Sequence, residues 1–196
     1  MIKFQGISSL QWWSDVVKKI LIAQNITERT PNYYKNFAEY LYNEFKKETC
    51  WEKFQGCDCL LKNLKSLDYK IGVISNFDER LEEILRNMKL IDYFSFILIP
   101  NKCNGASKPD SNIFLEAYKL GELKSPNEYL HIGDNFDLDV RPALNLNFKS
   151  ILMAHKNLKQ THTINNWDKS EEFQYILKNN LYATDLNNLY DKIIQI

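Results

Sequence analysis

The chain has 196 residues and no net charge, with 25 Lys plus Arg against 25 Asp plus Glu, which argues against a general electrostatic affinity for nucleic acid or anionic membrane. At 44% hydrophobic and 13% aromatic residues it carries ample material for a buried core and does not read as disordered. Its length suits one ordinary domain, or a core with a small appended subdomain. The apolar runs are short, residues 96–99 being typical, and none approaches the length needed to span a bilayer. The first six residues lack the apolar stretch of a signal peptide. Cys50, Cys57, Cys59 and Cys103 show neither metal-type nor disulfide-framework spacing. These features predict a soluble cytoplasmic (or nuclear) chain with reduced thiols and no membrane or nucleic-acid partner.

Residues 8–47 read as two amphipathic helices. Ser8 can cap the first, with Gln11 as capping-box partner, and Trp13, Val16, Val17, Ile20 and Leu21 share a stripe. Thr30-Pro31 opens the second, whose expected apolar face is Tyr34, Phe37, Leu41 and Phe45. From about residue 58 short apolar runs alternate with helical stretches. A strand at 71–74 leads to a helix capped by Asp78, and a strand at 96–99 stops at Pro100. A helix at 111–120 buries Ile113, Phe114 and Ala117. A third strand at 129–133, a short helix near 138–146 and a fourth strand at 148–153 follow. Residues 155–170 read as a polar surface excursion, and 181–196 as a closing helix with Leu186, Leu189, Ile193 and Ile194. Strand–helix alternation of this kind predicts an α/β fold with a mostly parallel sheet covered by helices.

Such sheets place their chemistry at the carboxyl ends of the strands. Ser75-Asn76 ends the first strand, where hydroxyl and amide can donate to a phosphate oxygen, or simply form a turn. Lys108, held before Pro109 after a glycine-containing loop, can neutralise an anion or stand solvated at the surface. After the third strand, Asp134, Asp137 and Asp139 outline a hard-cation site of the Mg²⁺ type, since carboxylates crowded there need a compensating cation or lysine.

The order and spacing of these clusters resemble motifs two, three and four of the haloacid dehalogenase superfamily of Mg²⁺-dependent phosphohydrolases. Within it they resemble the group of domain-containing protein 3 and the insect rhythmically expressed gene 2 proteins. The phrases that carry this are Gln11-Trp-Trp-Ser-Asp-Val-Val17, Val73-Ile-Ser-Asn-Phe-Asp-Glu-Arg-Leu-Glu82, Lys108-Pro-Asp-Ser-Asn-Ile-Phe114 and His131-Ile-Gly-Asp-Asn135 with Asp139. The resemblance implies a small phosphorylated metabolite as ligand and Mg²⁺ as cofactor. It implies that Ser75 and Asn76 contact the phosphoryl group and that Lys108 steadies the nucleophile and developing charge. Asp134 then binds Mg²⁺, and Asp139 supports the metal site or Lys108. Residues 1–50 correspond to a partial helical cap and 51–196 to a Rossmannoid core.

The family's first strand ends Asp-x-Asp-x-Thr, supplying the phosphate-accepting nucleophile and the general acid, and this sequence contains no such strand or motif. The chain is therefore expected to begin inside the cap, to lack the central strand of its sheet, and to be catalytically incomplete as written. A vacancy is expected between the strands at 71–75 and 129–133, with residues 1–6 a weak candidate to fill it. Pro142 and Asn147 stand where the family usually has Gly, and asparagine tolerates the left-handed backbone. The alternatives to a phosphohydrolase-family chain are a non-catalytic phosphate and cation binder or a protein-interaction module.

Overall fold

The computed structural model describes residues 7–26, 30–153 and 171–196. The expected excursion at 155–170 and the candidate strand at 1–6 lie outside them. The chain forms two compact units, one made of the residues up to Glu52 together with 77–92, the other of 53–76 with 93–196.

The first unit is helical. Helix α1 (Ser9–Ala23) starts at Ser8, whose hydroxyl accepts from the Gln11 N–H at 3.2 Å. The Gln11 side chain does not close a capping box; it donates instead to Asp15, one turn on, at 3.0 Å. Helix α2 (Pro31–Glu44) opens as expected, with the Thr30 hydroxyl accepting from Tyr33 N–H. Its buried row is Tyr34, Ala38 and Tyr42, rotated from the expected Tyr34–Phe37–Leu41–Phe45 face. Both buried tyrosines find acceptors, Tyr34 Oη donating to the Ile26 carbonyl at 2.7 Å and Tyr42 Oη to Glu79 at 2.9 Å. Burial of the phenols is thereby offset, and Phe45 is left exposed. The stripe on α1 is narrower than expected, with Val17 buried and Ile20 exposed.

Helix α4 (Arg80–Asn87) completes this unit. Asp78 does not cap it in the expected manner. Its Oδ1 accepts from the Arg80 backbone N–H and Nε, and its Oδ2 from Nη2 at 2.6 Å. The guanidinium lies 4.0 Å from the Tyr42 ring centre, with Trp13 and Phe77 at 5.0 and 5.3 Å. Arginine tolerates these surroundings because its flat, weakly hydrated cation stacks on aromatic faces. The pair thus fastens the start of α4 to α1 and α2.

The second unit is mixed α/β. Strands β1 (Gly72–Ile74) and β2 (Phe96–Leu98) pair in parallel, and β3 (Leu130–Gly133), β4 (Lys149–Met153) and β5 (Tyr182–Ala183) form a second parallel sheet in that order. Helices α3 (Cys57–Ser66), α5 (Ser111–Leu120), α6 (Arg141–Asn145), α7 (Glu171–Lys178) and α8 (Leu186–Ile193) accompany them. Among the described residues β1 and β3 share no ladder, as expected for a vacant strand position. A core of Ile113, Phe114 and Ala117 from α5 packs with Leu98 of β2, Tyr129 and Phe148, and so links elements of the two sheets.

Several elements differ from expectation. The helix expected near 138–146 is a π-turn, Phe136–Val140, running into α6. The tail at 181–196 begins with β5, too short to show periodicity, and Ile194 falls beyond the end of α8 on the surface. Asn147 adopts φ 59°, the left-handed conformation expected of it. All four cysteines are free thiols. No helix among the described residues is long and apolar enough to cross a membrane.

Candidate active site

The second unit brings three of the sequence clusters into one bonded chain. At the end of β1, Ser75 N–H continues the ladder by donating to the Leu98 carbonyl, which fixes the backbone where the strand runs out. Asn76 follows and makes a reciprocal pair with the backbone of Lys108. Its Nδ2 donates to the Lys108 carbonyl at 2.8 Å, and its Oδ1 accepts from the Lys108 N–H at 2.7 Å. An amide is the one neutral side chain that offers donor and acceptor to a peptide edge in this way. The Lys108–Pro109 peptide is cis, and Asp110 caps α5 through the Asn112 N–H.

From the backbone so held, Lys108 reaches the end of β3. Its Nζ donates to Asp139 Oδ1 at 2.6 Å, with the two side chains 16% and 2% exposed. Asp139 is carried by the π-turn after β3. Its Oδ2 accepts from the Asn135 N–H at 3.1 Å, and its Oδ1 also meets His131 Nε2 at 3.3 Å. The Asn135 side chain in turn accepts from the N–H groups of Asp137 and Leu138, shaping the first part of that turn. Burial pushes the Asp139 carboxyl up, but the hydrogen bond from His131 and the charge and hydrogen bond of Lys108 outweigh it and hold the group below the ordinary carboxylate range.

The other two carboxylates of the acidic cluster have different surroundings. Asp137 pairs with Arg141, one turn along. Asp134 is exposed directly after β3, and no hydrogen bond or ion pair engages its carboxylate among the described residues. No group of three or more His, Cys, Asp or Glu is arranged to cage a metal among the described residues. Of the three carboxylates, the open one of Asp134 is an oxygen donor of the type that suits a hard cation.

Two residues that stand within the quoted strand-end motif but were given no role of their own shape the site. A Cβ on Gly133 would lie 2.2 Å from Asp139 Cγ, so only glycine lets that carboxylate lie against the strand end. His131, buried on β3, supplies a second contact to Asp139. The alternation along β3 and the Gly-Asp step are the sequence signals that could have found them. Gly133→Ala is expected to lose about 1–3 kcal/mol, the usual cost of forcing an atom into packed space. The check is a urea unfolding curve alongside the Lys108–Asp139 distance in a crystal structure. A variant of unchanged stability with that ion pair intact would show that the strand end yields freely.

Residues 13–153 match the family model described as haloacid dehalogenase-like hydrolase. Haloacid dehalogenase-like hydrolase domain-containing protein 3 of Bos taurus is 34% identical over 149 residues, 76% of this chain and 58% of that protein. The rhythmically expressed gene 2 protein of Drosophila melanogaster is 35% identical over 153 residues, 75% of this chain and 58% of that one. The chain thus spans less than two thirds of the length of these relatives. Among solved structures, a HAD phosphatase from Thermococcus onnurineus aligns with a TM-score of 0.63 at 17% identity, covering 94% of this chain and 87% of that one. A HAD-hydrolase of Bacillus subtilis solved bound to magnesium gives 0.54 at 16% identity, with coverages of 97% and 94%. These structures share the fold.

Proposed function

The chain belongs to the haloacid dehalogenase-like hydrolases, and on that premise we propose that it carries the phosphate-facing and cation-facing part of a Mg²⁺-dependent phosphohydrolase acting on a small phosphorylated metabolite. The observation that carries this reading is the bonded chain Asn76–Lys108–Asp139, which joins the end of β1 to the end of β3. Ser75 presents polar groups to a phosphoryl group, whereas Asn76, expected to do the same, has both polar atoms of its side chain engaged with the Lys108 backbone and acts by placing that lysine. Lys108 supplies a fixed positive charge, and Asp139 acts by holding that lysine. Asp134 would hold Mg²⁺, whose contribution when bound is to neutralise charge on the phosphoryl oxygens. The exposed Asp134 carboxylate and the magnesium-bound Bacillus subtilis neighbour support that assignment.

Phosphoryl transfer through an aspartyl-phosphate needs a nucleophile that can be phosphorylated and a second acid to protonate the leaving group. The motif that supplies both in the family is absent from this sequence. The residues present support binding of phosphate and cation, and we place that binding in the cytoplasm or nucleus. Expected in solution is measurable binding of inorganic phosphate in the presence of Mg²⁺, weakened at least about tenfold by Lys108→Ala, as befits loss of a charge-assisted contact. Turnover of an aryl phosphate should stay at the blank level. Turnover well above the blank and abolished by Asp134→Ala would sink the incomplete-enzyme reading. Absence of phosphate binding would sink the site. Reading the transcript upstream of Met1 decides between an enzyme and a dedicated binding module: an in-frame strand ending Asp-x-Asp restores the former.

A further inference from the structure

Lys108 ends in a flexible four-carbon arm, and its ammonium is useful only if something fixes it in place. The anchor is Oδ1 of Asp139, at 2.6 Å. That oxygen is shared, since His131 Nε2 lies 3.3 Å from it, while the other carboxylate oxygen is taken by the Asn135 N–H. The imidazole is itself immobilised. It stands edge-on to Phe114, a fully buried residue, at 4.9 Å between ring centres and stacks with Tyr129 at 6.4 Å, while the Ser150 hydroxyl holds the main chain beneath it by donating to the His131 carbonyl at 3.2 Å. A residue needed only to fill this space between Phe114 and Tyr129 would serve as well without nitrogen.

We infer that His131 is a positioning residue: its Nε2–H fixes Asp139 Oδ1 and thereby holds the Lys108 ammonium at the carboxyl end of β3. The effect on ligand rests on the reading of Lys108 as the cation that meets a phosphate, whereas the effect on Lys108 itself does not. A carboxylate gripped at both oxygens cannot rotate away from its lysine. Without the histidine, only one contact besides Lys108 remains to orient it.

The test compares the unaltered chain with His131→Phe, which keeps an aromatic ring of similar volume, and His131→Gln, whose amide can place an N–H near the position of Nε2. Nitrogen-15 NMR of the lysine ammonium groups, with Lys108 assigned by its loss in Lys108→Arg, reads the restraint directly. The Lys108 signal is expected to be sharp in the unaltered chain, lost or broadened in His131→Phe, and restored in His131→Gln. Affinity for inorganic phosphate should follow the same order, with about a tenfold loss in the phenylalanine variant, the scale of one hydrogen bond to a charged group. A sharp Lys108 signal in His131→Phe would reduce the histidine to a space filler and overturn the inference. Should that variant fail to fold, the imidazole nitrogen spectrum of the unaltered chain decides: Nε2 must carry a proton, and a bare Nε2 overturns the proposal. If the unaltered chain binds no phosphate, the functional reading of the site fails, while the ammonium signals still decide the role of His131.

Discussion

Asp139→Ala is expected to lower the stability of the chain by about 3–5 kcal/mol, the scale seen when one partner of a buried ion pair is removed and the other is left uncompensated. The Asp139 carboxylate is 2% exposed and Lys108 16% exposed, so water compensates the orphaned ammonium only in part. The substitution also removes the acceptor of the Asn135 N–H and the polar partner of His131. Asp139→Asn, which keeps the shape, separates charge from packing through its pH dependence. The folded carboxyl titrates below its unfolded value. Its contribution is therefore fully present above the ordinary carboxylate range, near pH 4, and is lost as the pH falls through the lower folded value. The deficit of Asp139→Asn against the unaltered chain, measured by urea unfolding, should be large at pH 7 and shrink in acid. A deficit that stayed constant from neutral pH to well below 4 would mean that the ionised carboxylate contributes no stability.

Asp78→Ala is expected to have an effect of the same size in the helical unit. Arg80 is 4% exposed and its partner 7%, and the three aromatic rings beside the guanidinium cannot replace a carboxylate that grips it at two nitrogens. Loss of about 3–5 kcal/mol should appear in chemical unfolding, and amide exchange should accelerate first in α1, α2 and α4. The double variant Asp78→Ala with Arg80→Met supplies the contrast. Removing both charges and filling the space with an apolar chain should recover much of the loss, because a buried pair compared with apolar residues is often near neutral. A double variant as unstable as Asp78→Ala alone would assign the cost to the shape of the Asp78 turn and not to an unpaired charge.

Sequence alone carried the elements whose signals are local. Thr30-Pro31 and Ser8 mark helix starts through a hydroxyl that reaches the next turn, and both make those bonds. The spacing of Ile113, Phe114 and Ala117 placed one helical face in the core, because three- and four-residue steps return to the same side of a helix. The strand-end clusters were legible for a similar reason: Ser75-Asn76 and Gly133-Asp134 each follow directly on a short apolar run. Asn147 in the left-handed region was legible because asparagine is among the few residues that tolerate it.

What the tertiary structure decided is which of these residues act on one another. Lys108 and Asp139 lie 31 positions apart, and nothing local to either says that an ammonium and a carboxylate will meet at 2.6 Å. That meeting needs the Asn76–Lys108 backbone clasp, the side-chain-free Gly133 and the π-turn that re-aims Asp139. A run of acids therefore reads in sequence as one cation site, yet folds into three environments: Asp134 open, Asp137 paired with Arg141, and Asp139 sealed against Lys108 and His131. The rotated face of α2 has the same origin. Hydrophobicity ranks Phe45 above Tyr42, but Tyr42 is the ring buried, because Glu79, far along the chain, accepts its hydroxyl. Periodicity reports the average environment of a side chain, while burial of a polar group depends on a specific partner, and only the folded chain supplies that partner.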